Sequence, residues 1–201
     1  MSIVVEHEKR RHEILEKALD VFMDEGFENV TFQKIADRSG ITRTTLYIYF
    51  KNKREIFTFS IRQFLQILED DIAKVRKEKS LPHAEKLMRV MTVIIERLEE
   101  NRRLLSVVLN YVVYASKSND YDADYRVRRR TVRLRHILAS MLIEGIKAGE
   151  YNKTINVKKA NELLYSLLEA AAFRLVVLRR SAVDELKDAM RLAIGNFSLP
   201  R

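Results

Sequence analysis

The sequence predicts an all-α protein of nine helices, and three observations lead to this fold class. Apolar residues recur at helical spacing along most of the 201-residue chain. Only 5 Gly and 2 Pro are present, too few to separate the many short strands of a sandwich or barrel. Apolar residues make up 47% of the chain, which is enough to fill a substantial core.

The first three predicted helices have clearly marked ends. Ile14, Ala18 and Phe22 recur at every fourth position and predict a first helix over about residues 9–25. Two shorter helices follow, and the third covers about residues 43–49 with Leu46 as its inward anchor. A helix this short needs packing against its neighbours to be stable. Glycines end the first two helices and threonines cap the second and third: Gly26, Gly40, Thr31 and Thr42.

Six further helices are predicted beyond residue 50. Asn52 and Glu55 stand at the capping-box spacing and start a fourth helix that runs to about residue 77. The apolar periodicity then predicts helices over about residues 83–99, 101–116, 121–148, 156–179 and 182–197. Candidate caps, starts and stops in this part of the chain are Pro82, Asp120, Gly149, Asn156 and Ser181.

The charge of the chain is informative locally rather than globally. The net charge is +9, but residues 1–60 contain ten basic and ten acidic side chains, so the excess of 27 over 18 lies in residues 61–201. Between Arg38 and Arg54, however, there are five basic residues and no acidic one. Two short helices joined by a turn at Gly40, the second rich in hydroxyls and cations, form the pattern of a helix-turn-helix.

Nine side chains between residues 31 and 53 suit contacts with DNA. Arg43 begins the third helix, where its guanidinium can bond guanine in the major groove, and Gln33 is a second candidate for reading bases. Thr44 and Thr45 are short enough to approach a base edge. Tyr47 and Tyr49 can lay a ring along the sugar backbone and donate a hydroxyl to a phosphate. The residues at helix starts, where phosphates also bind, are Thr31, Thr42 and Lys53.

The segment "TFQKIADRSGITRTTLYIYFKNKREIF", residues 31–57, resembles the DNA-binding head of the TetR (tetracycline-repressor) family, and the resemblance covers about residues 10–58. It implies a nine-helix architecture with a DNA-binding domain over residues 1–55, from which the fourth helix leads at about residue 53 into the second domain. That second domain, residues 56–201, is implied to bind a small-molecule effector and to form a homodimer. The implied function is that of a ligand-responsive repressor that binds a palindromic operator in double-stranded DNA.

Candidate residues for the effector pocket and the dimer interface can be named in the second domain. Pocket candidates combine soft apolar surface with a few polar tips, although ordinary core packing is an equally open interpretation: Phe64, Met88, Met91, Asn110, Tyr111, Tyr114, Tyr165 and Phe173. The eighth helix is apolar on nearly all sides, and in the resembled family the last two helices form a four-helix bundle between subunits. Candidate interface residues are Leu167, Ala171, Arg174, Leu178, Leu186, Met190 and Ile194.

An arginine-rich segment lies in the seventh predicted helix, with six arginines within residues 126–135. At helical spacing, Arg126, Arg130 and Arg133 share one face. Two interpretations stay open for this face. It is either a solvated surface covered by salt bridges, or a site for an anionic effector or an acidic partner.

The sequence contains few features of other functional classes. There is no Gly-rich phosphate loop, no Cys nucleophile and no pair of histidines with a clear carboxylate partner, so we expect no enzymatic activity, no metal and no resident cofactor. No secretory signal and no membrane-spanning stretch are evident, so we expect a cytoplasmic, nucleoid-associated protein without membrane contact. The alternative function is a DNA-binding protein whose helical body recruits a protein or organises DNA without a small-molecule effector.

Overall fold

A computed structural model describes residues 2–117, 121–178 and 184–198, with side chains throughout except for residues 2–4 and 115–131. These ranges contain nine α-helices and no strand, which confirms the predicted fold class, and an isolated antiparallel bridge joins Tyr151 to Ser198. The helices are α1 (Ser2–Asn29), α2 (Phe32–Arg38), α3 (Arg43–Tyr49), α4 (Lys53–Lys77), α5 (His83–Glu100), α6 (Arg102–Lys117), α7 (Tyr121–Lys147), α8 (Val157–Val177) and α9 (Asp184–Gly195). Within the same ranges, no helix combines the length and the apolar character needed to cross a membrane.

The chain forms two compact units that do not follow the order of the sequence. Unit 1 consists of residues 1–65 and 103–125, so α6 belongs with α1, α2, α3 and the first half of α4. Unit 2 consists of residues 66–102 and 126–201, which include α5, most of α7, α8 and α9. The sequence-based division after residue 55 concerns function rather than compactness, and it stays a prediction.

Side-chain caps fix the turn between α2 and α3 in unit 1. The Thr31 hydroxyl accepts a hydrogen bond from the backbone N–H of Lys34 at 3.2 Å, at the start of α2. The Thr42 hydroxyl accepts one from the N–H of Thr45 at 3.0 Å, at the start of α3. Gly40 lies between them with a φ of 65°, a left-handed conformation that strongly favours glycine. The predicted helix-turn-helix boundaries therefore follow from local chemistry.

A cluster of aromatic rings forms the core where α1, α4 and α6 meet in unit 1. The ring centre of Phe27 lies 5.2 Å from that of Phe57. The ring of Tyr111, on α6, packs against both, at 4.7 Å from Phe27 and 4.8 Å from Phe57. An ion pair between Arg103 and Asp20 also joins α6 to α1. Because such ring pairs stabilise beyond their buried area, α6 is firmly attached to the amino-terminal helices.

In unit 2, α5 packs against both α8 and α9. All three helices bury residues at the spacing of three or four that places them on one face. The buried residues are Leu87, Val90, Met91, Ile94 and Ile95 of α5, Ala160, Leu164, Tyr165, Leu168, Ala171 and Leu175 of α8, and Leu186, Met190 and Ile194 of α9. The carboxyl-terminal half of the chain therefore has its own apolar core.

A carboxylate from a distant segment completes the start of α5. Pro82 precedes this helix and supplies no side-chain cap. The Glu150 carboxylate accepts the backbone N–H of His83 at 2.6 Å, and Nδ1 of the His83 ring lies 2.8 Å from its other oxygen. Burial favours the neutral form of Glu150, but the hydrogen bonds from His83 outweigh this effect and lower the pKa of Glu150. A negative charge at this position also complements the dipole of α5.

Candidate nucleic-acid interface

The outward face of α3 presents most of the predicted DNA-reading side chains to solvent. Leu46 is fully buried and anchors the helix from the inside. On the other side, Arg43, Thr44 and Tyr47 are exposed, while Thr45 is half-buried beside the Thr42 cap. A short helix with one anchored face and one open face has the geometry of a recognition helix that enters the major groove.

Arg43 and Tyr47 support each other on this face. Nη2 of Arg43 donates to the Tyr47 hydroxyl at 3.1 Å, and the guanidinium carbon lies 5.7 Å from the ring centre. The Tyr47 ring lies 4.8 Å from the ring of Phe32 on α2, yet the residue remains 50% exposed. Tyr47 therefore combines packing against Phe32 with an accessible hydroxyl.

A histidine that the sequence analysis did not select packs against the same interface. The ring of His7, near the start of α1, stacks on the ring of Tyr49 with centres 4.6 Å apart and an interplanar angle of 28°. His7 is exposed and Tyr49 is half-buried. The stack restricts the Tyr49 ring, whose predicted task is to contact the DNA backbone. No spacing rule links residues 7 and 49, so only the three-dimensional fold reveals this contact.

Lys53, which is predicted to contact a phosphate, binds backbone carbonyl groups within the head. Its Nζ donates to the backbone carbonyl oxygens of Phe27 at 2.9 Å, Glu28 at 2.7 Å and Val30 at 2.7 Å. The carbonyl groups at the end of a helix lack N–H partners within that helix, and a lysine ammonium has three N–H donors. All three donors of Lys53 are therefore used in closing the end of α1.

The ammonium of Lys53 is also shielded from solvent. Nζ lies 5.1 Å from the centre of the Phe27 ring. Burial lowers the pKa of Lys53 below its ordinary value of 10.5, and the charge of Glu28 opposes this shift. Lys53 is thus a partly shielded cation that joins the start of α4 to the end of α1. Its contact with a phosphate stays a prediction.

The other cations within residues 31–57 fall into two groups. Lys34 pairs with Glu25, and Arg38 pairs with Asp24 at 3.0 Å, so both are partly neutralised. The three others make no ion pair with a carboxylate in the described part of the chain: Arg43, Lys51 and Arg54. These three carry the charge that remains available to a polyanion.

The last predicted contacts lie at the starts of α2 and α3. Gln33 is exposed, and its Nε2 donates to Asp37 at 2.7 Å, an intrahelical contact that a base could replace. The Thr31 and Thr42 hydroxyls are engaged as caps, but both residues are exposed at helix starts. Their backbone surroundings therefore retain the geometry in which phosphates bind.

Comparison with known proteins agrees with this geometry. Residues 14–58 match the family model described as bacterial regulatory proteins of the tetR family. The fatty acid metabolism regulator protein of Bacillus subtilis (strain 168) is 26% identical over 161 residues, which cover 78% of either chain. The transcriptional repressor KstR2 of Mycolicibacterium smegmatis is 28% identical over 148 residues, covering 74% of this chain and 70% of that one. The amino-terminal segment, residues 14–58, is thus of the TetR type, as its sequence predicted.

A likeness in fold extends well beyond this segment. The crystal structure of the Bacillus subtilis regulator FadR in complex with stearoyl-CoA superposes with a TM-score of 0.73 at 22% identity. The superposition covers 92% of this chain and 98% of that one. The carboxyl-terminal helices, which the sequence predicted only from apolar periodicity, thus have the arrangement of a known regulator. The protein is a DNA-binding transcriptional regulator.

The predicted effector-pocket residues of this chain differ in their surroundings. Those in unit 1 are Phe64 and Tyr114, both half-buried, Asn110, which is exposed, and Tyr111, which is buried in the aromatic cluster. Those in unit 2 are Met91 and Tyr165, both buried, Met88, which is half-buried, and Phe173, which is 54% exposed. Phe173 is therefore a surface residue of unit 2, and its place in an effector pocket stays a prediction. The other pocket positions stay predictions.

The predicted dimer residues also divide by burial. Four of them are already buried in the core of their own chain, so little of their surface remains for a partner: Ala171, Leu186, Met190 and Ile194. Leu178 is 51% exposed, whereas Leu167 and Arg174 are half-buried. Four further large apolar side chains of the same two helices are exposed: Leu163, Phe173, Val177 and Leu192.

The described arginines of α7 make ion pairs within unit 2. Arg133 lies 3.1 Å from Glu69, and Arg135 lies 2.6 Å from Glu162. The Arg135 guanidinium also covers the ring of Tyr165, 3.6 Å from its centre. These contacts favour the salt-bridged interpretation for this end of the arginine run. The side chains of Arg126 and Arg130 lie outside the described residues.

Proposed function

We propose that this protein is a homodimeric repressor that binds a palindromic operator and releases it when a long-chain acyl-coenzyme A binds. One observation carries the proposal: the outward face of α3, with Arg43, Thr44 and Tyr47 exposed above the buried Leu46. Such a helix contacts only a few base pairs, so two copies related by a twofold axis are needed for specificity. The coupling follows if the effector binds best to the state in which the two heads do not fit the operator.

An exposed apolar surface supports the homodimer. Leu163, Phe173 and Val177 lie on one side of α8 and are 47%, 54% and 54% exposed, while the buried residues of α8 lie on the opposite side. Leu192 of α9 is 69% exposed. Large apolar side chains that are exposed on one side of a helix suit a protein–protein interface. A second copy of the chain would cover it with the same residues in an isologous contact.

Replacing Phe173 with Glu is expected to shift the protein from dimer to monomer, because a carboxylate would be buried without a partner in the proposed interface. Sedimentation velocity measures the mass, and operator affinity should fall together with it. The matched control is Ile67→Glu, a similar change at a side chain of α4 that is 47% exposed. We expect the control to leave the mass unchanged. A dimer that tolerates Phe173→Glu would contradict this interface.

The basic charge of residues 61–201 and the ligand of a solved relative together suggest the chemical class of the effector. A 27-to-18 excess of basic residues in residues 61–201 suits an anionic ligand, and the core of unit 2 supplies apolar surface. A solved relative of the same fold is described in complex with stearoyl-CoA, which combines an anionic nucleotide part with a long acyl chain. The same ligand chemistry is therefore the first to test on this chain.

Stearoyl-CoA is expected to raise the melting temperature and to release a duplex selected from a random library. At about 100 times the Kd, mass action stabilises the folded state by about 2.7 kcal/mol. Thermal shift and fluorescence anisotropy of the labelled duplex measure the two effects. Coenzyme A and stearate, tested separately, are the controls and should act weakly. If stearoyl-CoA neither stabilises the protein nor releases the duplex, the acyl-CoA proposal fails and the effector-independent alternative gains support.

A further inference from the structure

An isoleucine on α3 has no role in packing. Ile48 is 68% exposed, whereas Leu46 and Phe50, two residues away on either side, are 0% and 1% exposed. A branched apolar side chain is poorly suited to an exposed position in a short helix, because it neither gains from burial nor has high helix propensity. Within unit 1, only Val5 among the described large apolar side chains is as exposed as Ile48.

Helical geometry places Ile48 at the outermost point of α3. Successive residues of an α-helix are rotated by about 100°, so Thr44 and Ile48 both lie about 20° from the direction opposite the buried Leu46. Arg43 and Tyr47 lie on one flank of this ridge, where the structure joins them by a hydrogen bond. Thr45 and Tyr49 lie on the other flank, where Tyr49 stacks on His7. The outermost ridge of α3 is therefore formed by a threonine and an isoleucine.

We propose that Ile48 reads the C5-methyl group of a thymine in the major groove of the operator. The proposal rests on the DNA-binding function and names one specificity-determining contact within it. The thymine methyl is the apolar feature that a base pair presents in the major groove, and apolar side chains recognise it by contact. Contact with a methyl group would bury Ile48, which the protein alone leaves in water.

The surroundings of Ile48 favour DNA over an apolar protein partner. Arg43 and Lys51 lie within five residues of it, and neither makes an ion pair in the described part of the chain. A protein surface that covered Ile48 would also have to cover these cations, at a high desolvation cost. A duplex instead offers phosphates to the cations and a methyl group to the isoleucine at the same time.

The test uses the duplex selected by the wild-type protein from a random library. Thymines are replaced by uracil at one position of the half-site at a time, together with the symmetry-related position of the other half-site. The replacement removes only the methyl group. For the wild type we expect one position at which uracil weakens binding by about fourfold per half-site, the factor for burying one methyl group. Ile48→Ala should bind the thymine duplex several-fold more weakly and should no longer distinguish thymine from uracil at that position.

Thr44 supplies the matched control, because its side chain carries the other methyl group on the ridge. Thr44→Ser should retain the wild-type sensitivity to uracil. If Ile48→Ala keeps the full discrimination, or Thr44→Ser abolishes it, the assignment to Ile48 is overturned. If uracil has no effect at any position, it is overturned as well. If no duplex is selected at all, the failure lies with the DNA-reading function, and the two failures are thereby distinguished. Circular dichroism checks folding, which an exposed Ile48→Ala change should preserve.

Discussion

Replacing Lys53 with Met is expected to lower the free energy of unfolding by about 3 kcal/mol, because the change removes three charge-assisted hydrogen bonds. The carbonyl oxygens of Phe27, Glu28 and Val30 would lose the ammonium that joins them. Met keeps most of the aliphatic stem, so the loss reports on the charge and the donors rather than on packing. Urea denaturation followed by circular dichroism measures the change.

The neighbouring Lys51→Met is the matched control for this experiment. Lys51 is exposed and has no ion pair in the described part of the chain, so its loss should change stability by less than about 0.5 kcal/mol. If Lys51 contacts a phosphate, its loss should weaken binding to all duplexes and reduce the salt slope by about 1. The reverse pattern, a stable Lys53→Met protein with a reduced salt slope, would restore the phosphate contact that the sequence suggested for Lys53.

The local features of the head could be predicted from the sequence, because their causes lie within a few residues. Thr42 accepts from the N–H three positions ahead, and Asn52 accepts from the Glu55 N–H at 2.9 Å. Asn156 starts α8 in the same way, with a 3.1 Å bond from the Lys159 N–H. Each cap needs only the right side chain at the right spacing, so the boundaries of these helices follow from the printed sequence.

The role of Lys53 could not be predicted in the same way. Its carbonyl partners precede it by 23 to 26 residues, and its position beside them depends on how α4 packs against the end of α1. A lysine at a helix start has the same appearance in the sequence whether it binds a phosphate or a backbone carbonyl. The stack of His7 on Tyr49 was missed for the same reason, since 42 residues separate the two rings.

The burial of individual side chains shows which side of α8 faces the core, which periodicity alone does not show. The sequence predicts two buried sides for this helix, but it cannot show which side meets its own chain. The structure places Ala171 and Leu175 inside and leaves Phe173 and Val177 exposed. Because residues two positions apart on a helix lie on different sides, a shift of the inferred face by two positions exchanges core for interface. Phe173 therefore lies on the exposed side of α8, which the sequence could not show.

Replacing Gly145 with Ala is expected to destabilise the protein by about 3 kcal/mol, a large effect for one added methyl group. A Cβ at this position would lie 2.3 Å from Cδ2 and Cε2 of the Tyr151 ring. Tyr151 is 0% exposed, and the N–H of the following Asn152 donates to the Phe197 carbonyl at 2.9 Å, so the ring has little room to move. Thermal or urea unfolding measures the loss of stability.

Two controls show whether the close contact with Tyr151 is the cause. Gly195→Ala, at an exposed helix end with no atom within 4 Å of the added Cβ, should be neutral or stabilising by up to about 1 kcal/mol. In a Tyr151→Ala background, which creates space, Gly145→Ala should cost far less than in the wild type, and this coupling is what a double-mutant cycle measures. Tyr151→Phe should not destabilise, because its buried hydroxyl has no hydrogen-bond partner within the described residues. If the cost of Gly145→Ala is the same in both backgrounds, the ring contact is not its origin, and the effect must come from the backbone of α7.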